Sequence, residues 1–123
     1  MDDRQRLRYS RHLLLEGFGE DSQERLLAAH AVVVGAGGLG SGALLYLASS
    51  GVGRITIADG DAVDLTNLQR QVVHRLDAVG TNKAVSAAAT LATINPEIAV
   101  RAVPERLAPE RIRALAREAD VVL

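Results

Sequence analysis

The chain has 123 residues, 48% of them hydrophobic and 24% charged, which suits one globular domain and excludes both a disordered or low-complexity chain and two full domains. Its 14 Lys and Arg stand against 15 Asp and Glu, so there is no basic field to hold a nucleic-acid backbone or an anionic membrane, and two Tyr and one Phe offer no stacking platform for bases. The lack of cysteine excludes disulfides, thiolate zinc sites and a cysteine nucleophile within these residues; the acidic start Met1-Asp2-Asp3 has no apolar run behind it to make a signal peptide, which leaves the cytoplasm as the default compartment.

Residues 3–15 carry Leu7, Leu14 and Leu15 among Arg4, Arg6, Arg8 and Arg11, the pattern of a half-exposed helix. A break over 16–21 precedes a second short helix at 23–29, with Leu26 and Leu27 on its inner side. From Leu26 to Gly53 there is no charged residue, a length that could cross a bilayer, but Gly35, Gly37, Gly38, Gly40, Gly42, Gly51 and Gly53 punctuate it and argue against a spanning helix. Instead, Ala31-Val32-Val33-Val34 reads as a parallel strand buried on both faces, followed by a glycine turn, a helix over 39–50 and a second strand over 54–58. A polar connection of little periodicity fills 60–80, and connections of that length are commonly functional or disordered. Residues 81–94 form a helix with Ala84, Ala88, Leu91 and Ala92 on one face, stopped by Asn95-Pro96; a strand over 98–103, a helix over 109–119 opened by Pro109, and the start of a fourth strand over 120–123 complete the chain. The alternation predicts an α/β, Rossmann-like parallel sheet with helices on both faces over 31–123, behind an N-terminal helical arm over 1–30.

Gly35-Ala36-Gly37-Gly38-Leu39-Gly40 reads G-x-G-x-x-G between a predicted strand and a predicted helix, the context in which glycines let a phosphate approach the backbone at a helix N-terminus. Asp59 ends the second strand, where a carboxylate can accept hydrogen bonds from ribose hydroxyls. Together they point to an adenine nucleotide, against the alternative that the glycines merely pack a βα corner. The turn does not distinguish a dinucleotide from a triphosphate. A triphosphate calls for further cations, and Arg70 in the connection after the second strand and Lys83 in the first turn of the next helix are candidates. Lys83 opposes the helix dipole unless an anion sits opposite it. His12, His30 and His74 are scattered and read as surface or packing residues rather than metal ligands, and Asp61 and Asp64 as turn residues, with an outer role toward magnesium as the lesser alternative.

The segments Arg8-Tyr9-Ser10-Arg11, the glycine turn, Asp59-Gly60-Asp61, Asn67-Leu68-Gln69-Arg70-Gln71, Gly80 with Lys83, Asn95-Pro96 and Ala119-Asp120-Val121-Val122-Leu123 resemble, in order and spacing, the MoeB/ThiF/HesA family, bacterial relatives of the ubiquitin-activating enzymes. The resemblance implies adenylation of the C-terminal glycine of a ubiquitin-like sulfur-carrier protein with Mg-ATP, in molybdopterin or thiamine synthesis. It implies that Gly38 donates to the phosphates, that Asp59 accepts from ribose, and that Asn67, Arg70 and Lys83 meet the phosphates while Thr66, Leu68 and Gln69 line the same loop. It also implies a homodimer in which Arg11 reaches the neighbouring subunit's site. His12 stands where many relatives have Gln, and Ser22-Gln23 where Gly-Gln is usual. The family's Asp-x-x-Asp-Asn magnesium loop and its zinc-binding Cys-x-x-Cys pairs are not in these residues, so the domain is expected to be incomplete at the fourth strand and weak or inactive alone. A nicotinamide-dependent oxidoreductase and a non-catalytic nucleotide-binding fragment are the alternatives.

Overall fold

A computed structural model describes every residue from Met1 to Leu123. Three helices, α1 (Asp3–Arg8), α2 (Ser10–Leu13) and α3 (Gly19–Ala28), precede β1 (His30–Val34), α4 (Gly38–Ser50), β2 (Arg54–Ala58), α5 (Lys83–Ile94), β3 (Ala99–Val103), α6 (Pro109–Glu118) and β4 (Val121–Val122). The four strands form one parallel sheet in the order β3-β2-β1-β4.

Alternation along the strands sorts side chains onto two faces. Ala31 and Val33 of β1 and Ile55 and Ile57 of β2 pack with Leu44 and Ala48 of α4 and Ala84, Ala87 and Leu91 of α5 in the main core. Full burial of a leucine such as Leu44 or Leu91 contributes roughly 1.5–3 kcal/mol. The opposite face carries α6: His30 Nδ1 donates to the Glu118 carbonyl at 3.0 Å, so its Nε2 accepts from the Thr56 hydroxyl at 2.8 Å.

Several expectations shift. The arm helix predicted over 3–15 is broken at Tyr9, whose ring turns inward and is 2% exposed. Asn95 Nδ2 bridges its hydroxyl and the Ala48 carbonyl, at 2.8 and 2.9 Å. Gly51, at φ +92°, lies against the same ring, where a Cβ would meet Tyr9 carbons at 2.7 Å. α3 starts at Gly19, within the expected break, because Gly17 and Gly19 take positive φ and close the preceding turn. On α5 the buried face is Ala84, Ala87 and Leu91, with Lys83, Ser86 and Thr90 beside it; Ala92 is exposed. The 60–80 connection is ordered, with 3₁₀ turns at Leu65–Asn67 and Leu76–Ala78 and a bridge between Ala62 and Asn82.

Candidate functional site at the carboxyl edge of the sheet

β1 is followed by Gly35, which takes φ +98° and donates its N–H to the Ala58 carbonyl at the end of β2 at 2.7 Å. The chain then turns into α4. A Cβ on Gly40 would lie 2.0 Å from the Gly35 carbonyl oxygen, so only glycine lets the helix approach the strand this closely. Around Gly38 a Cβ would meet nothing within 4 Å, which leaves that backbone open to a ligand. After Gly35, Ser41 is the next residue whose N–H finds a backbone acceptor, the Gly37 carbonyl at 2.9 Å. The amides of Gly37, Gly38, Leu39 and Gly40 are left as unpaired donors at the positive end of α4, the arrangement that favours an anion.

Asp59 lies beside this turn and holds it. Its Oδ2 accepts from the Ala36 N–H and its Oδ1 from the Asp61 N–H, both at 2.8 Å. The carboxylate keeps further lone pairs for a ligand. It lines an open cleft of about 220 Å³ with Gly35, Ala58, Gly60, Glu105 and Arg106. Arg106 spans the mouth to Asp61 at 3.8 Å, an exposed ion pair of small energetic weight.

The Asp64–Gln71 loop supplies the third wall. Asp64 caps its 3₁₀ turn, accepting from the Thr66 N–H at 2.9 Å and the Thr66 hydroxyl at 2.7 Å. Those two bonds, the hydroxyl first, hold the Asp64 carboxyl below the usual carboxylate range. Asn67 Oδ1 accepts from the Asp64 N–H at 2.9 Å, leaving its NH₂ group free to donate outward. Arg70 folds back to donate to the Thr66 carbonyl at 3.1 Å. With its amide turned to suit its neighbours, Gln69 accepts from Arg70 Nη1 at 2.9 Å and donates to the Thr66 carbonyl at 2.7 Å. Leu68 is half-buried.

Lys83 is the first residue of α5. It is only 8% exposed, and its ammonium makes no hydrogen bond or ion pair. Asn82 positions it: its side chain caps α5 by accepting from the Ala84 and Val85 amides, and its NH₂ donates to the Asp59 carbonyl at 2.8 Å.

The fold thus gathers Gly35, Gly37, Gly38, Gly40, Asp59, Thr66, Asn67, Leu68, Gln69, Arg70 and Lys83 at one edge of the sheet. Arg11 is not among them. It follows Tyr9, which packs where α4 and α5 end, at the opposite edge. No three His, Cys, Asp or Glu side chains converge on one point.

Residues that sequence reasoning left without a role also stand here. His74, read as surface or packing, is buried beneath the glycine turn: its Nε2 donates to the Ala36 carbonyl at 2.7 Å and its Nδ1 accepts from the Ser86 hydroxyl at 2.8 Å. Burial, with the Lys83 charge, lowers its pKa, against the Ala36 bond and Asp59, which raise it. Gln71 is buried near Gly37, and its Oε1 lacks any partner. The cap at Asn82 was open to reading from an Asn just before a helical run; nothing in the residue pattern pointed to His74, whose partner Ala36 is 38 positions away.

Comparison with known proteins adds a family to this geometry. The model of the ThiF family matches residues 9–123. The chain is 51% identical over 116 residues to a probable adenylyltransferase/sulfurtransferase MoeZ of Mycobacterium tuberculosis, covering 94% of the chain and 30% of that protein. It is 46% identical to the molybdopterin-synthase adenylyltransferase and 41% identical to the sulfur carrier protein ThiS adenylyltransferase of Escherichia coli, in each case over 100% of the chain and 49% of the relative. Among solved structures, the E. coli tRNA N6-threonylcarbamoyladenosine dehydratase in complex with ATP superposes with a TM-score of 0.89 at 35% identity, covering 98% of the chain and 49% of that structure. The chain spans about half the length, or less, of these relatives.

Proposed function

The chain belongs to the ThiF family, and on that premise we propose that its sheet edge binds ATP and serves to adenylate the C-terminal carboxylate of a ubiquitin-like sulfur-carrier protein, in molybdopterin or thiamine synthesis. The observation that carries the reading is the ammonium of Lys83, unpaired at the end of a mostly buried side chain, on the same edge as four unpaired amides. An ammonium held without a protein partner beside free amides is placed to pair with an anionic ligand, through the charge-assisted bonds that are the stronger kind.

In this reading the adenosine occupies the cleft beside Asp59, whose carboxylate accepts from the ribose hydroxyls, and the phosphates lie along the glycine turn. A carboxylate oxygen of the carrier attacks the α-phosphorus, the bond to the bridging oxygen breaks, and pyrophosphate leaves with the electron pair. Little proton chemistry is needed. Arg70, Lys83 and the Asn67 amide neutralise charge that grows on the leaving group and hold the reactants in line. Arg70 is released from the Thr66 carbonyl and from Gln69 at the cost of two exposed hydrogen bonds.

Magnesium would enter bound to the triphosphate, since no three carboxylate or imidazole side chains converge here to hold it. Arg11, at the far edge, serves the phosphates only from a second copy, which makes a homodimer part of the proposal. No helix is long and apolar enough to cross a membrane, and the reaction is assigned to the cytoplasm.

The test is isotope exchange between labelled pyrophosphate and ATP by the complete gene product, in the presence of a carrier ending in Gly-Gly, with these 123 residues alone expected to be weak or inactive. Carrier-dependent label in ATP is expected. ATP binding without any exchange would reduce the reading to a nucleotide-binding domain.

A further inference from the structure

No peptide in the chain is cis, so in the unit joining Ala36 to Gly37 the carbonyl and the N–H point in opposite directions. The carbonyl is held: His74 Nε2 donates to it at 2.7 Å from below the turn. A carbonyl cannot donate, so Nε2 carries the proton, and the Ser86 hydroxyl donating to Nδ1 at 2.8 Å keeps the imidazole in that tautomer. Directing the Ala36 carbonyl at His74 directs the Gly37 N–H the other way, into the row of unpaired amides formed with Gly38, Leu39 and Gly40. The preceding unit is held too, by Asp59 on the Ala36 N–H. Ala36 has no exposed surface, so water does not replace either partner.

We propose that His74 is a positioning residue for the nucleotide: through the Ala36 carbonyl it aims the Gly37 N–H at a phosphate group. The proposal rests on the reading of the glycine turn as the ATP phosphate site. His74 contacts no ligand itself. An apolar side chain of similar volume would fill its space, yet would leave the Ala36 carbonyl and the Ser86 hydroxyl without partners and free the peptide to turn over. Val73, next in sequence, ties the same segment to α4 and α5, its N–H donating to Ser41 Oγ at 2.7 Å and its carbonyl accepting from Thr90 Oγ1 at 2.6 Å. His74 is thus seated on a fixed support.

The test compares the wild-type chain with His74→Leu, His74→Gln and Ser86→Ala, reading ATP affinity by calorimetry and, by NMR on ¹⁵N-labelled protein, adenosine binding and the Gly37 amide signal. Glutamine places a donor nitrogen as many bonds from the backbone as the imidazole Nε2. His74→Leu should weaken ATP about tenfold or more, the scale of one hydrogen bond to a charged group, while adenosine binding stays unchanged. His74→Gln should recover most of the loss, and Ser86→Ala should fall between, since it removes only the tautomer lock. Should His74→Leu fail to fold, the Gln and Ala variants still decide the matter by that ranking. ATP bound equally by all variants, or adenosine lost in step with ATP, would overturn the proposal. A wild-type chain that binds no ATP, but whose Gly37 amide shifts with inorganic pyrophosphate only when His74 or Gln is present, would refute the nucleotide reading and keep the positioning role. No response to either ligand would overturn both.

Discussion

At the scale of single residues, the site is built from groups whose hydrogen-bonding capacity is partly spent on structure and partly left over. Asp59 spends one bond per oxygen on holding two loops; Asn67 spends its oxygen and keeps its NH₂. Lys83 spends nothing. Lys83→Met should therefore leave the unfolding midpoint unchanged or raised, because the ammonium makes no contact that the fold would lose, while weakening ATP by tenfold or more, as expected for a charge-assisted contact. Denaturant melts paired with calorimetry check both halves, and a large drop in stability would mean that the ammonium has a structural partner. His74 gives the chain a pH dependence. Its folded pKa lies below the ordinary imidazole value of about 6.5, so folding favours the neutral ring. The unfolded chain then binds more protons, and this contribution to stability is complete above about pH 6.5 and is lost as pH falls through the folded pKa. Urea melts between pH 5 and 8 should show that decline, and His74→Gln should flatten it.

At the scale of elements, the parallel strands and the helices α4 to α6 were legible in the residues, because buried β-branched runs and glycine or proline punctuation are local signals. The arm was less so. Periodicity cannot tell that Tyr9 turns inward and breaks a helix, since its partners Asn95 and Ala48 are distant in sequence. The glycine turn, Asp59, the Asn67–Arg70 segment and Lys83 were singled out as candidates from spacing and family resemblance. The orientation of the turn was not, because it depends on His74 and Asn82 reaching across from other elements. Asn82 joins two of these elements, capping α5 and holding the Asp59 carbonyl. Asn82→Ala should cost about 1 kcal/mol for the cap alone, and up to about 2 kcal/mol in all. It should also weaken ATP, since both Lys83 and Asp59 lose a tether. Thermal melts with and without ATP measure the two effects; a loss of stability with unchanged ATP affinity would mean that the tether does not position the site.

At the scale of the whole molecule, the two edges of the sheet have separate tasks. The carboxyl edge presents the proposed nucleotide site, while the opposite edge is closed by the arm, where Tyr9 fills the space between the ends of α4 and α5 and Gln23 donates to the Ser50 carbonyl at 2.9 Å. Tyr9→Ala should cost about 3–5 kcal/mol, as for other large buried aromatics, a substantial part of the roughly 5–15 kcal/mol that holds a domain together. Under conditions where the variant is folded its ATP affinity should equal that of the wild type; parallel loss would show that the arm shapes the site directly. The central claim is that this sheet edge is a triphosphate site rather than a dinucleotide site, and calorimetric titration of the chain with Mg-ATP and with NAD tests it most directly. The account predicts tighter binding of Mg-ATP and its loss in Lys83→Met. Tighter binding of NAD, or ATP binding indifferent to Lys83, would contradict it.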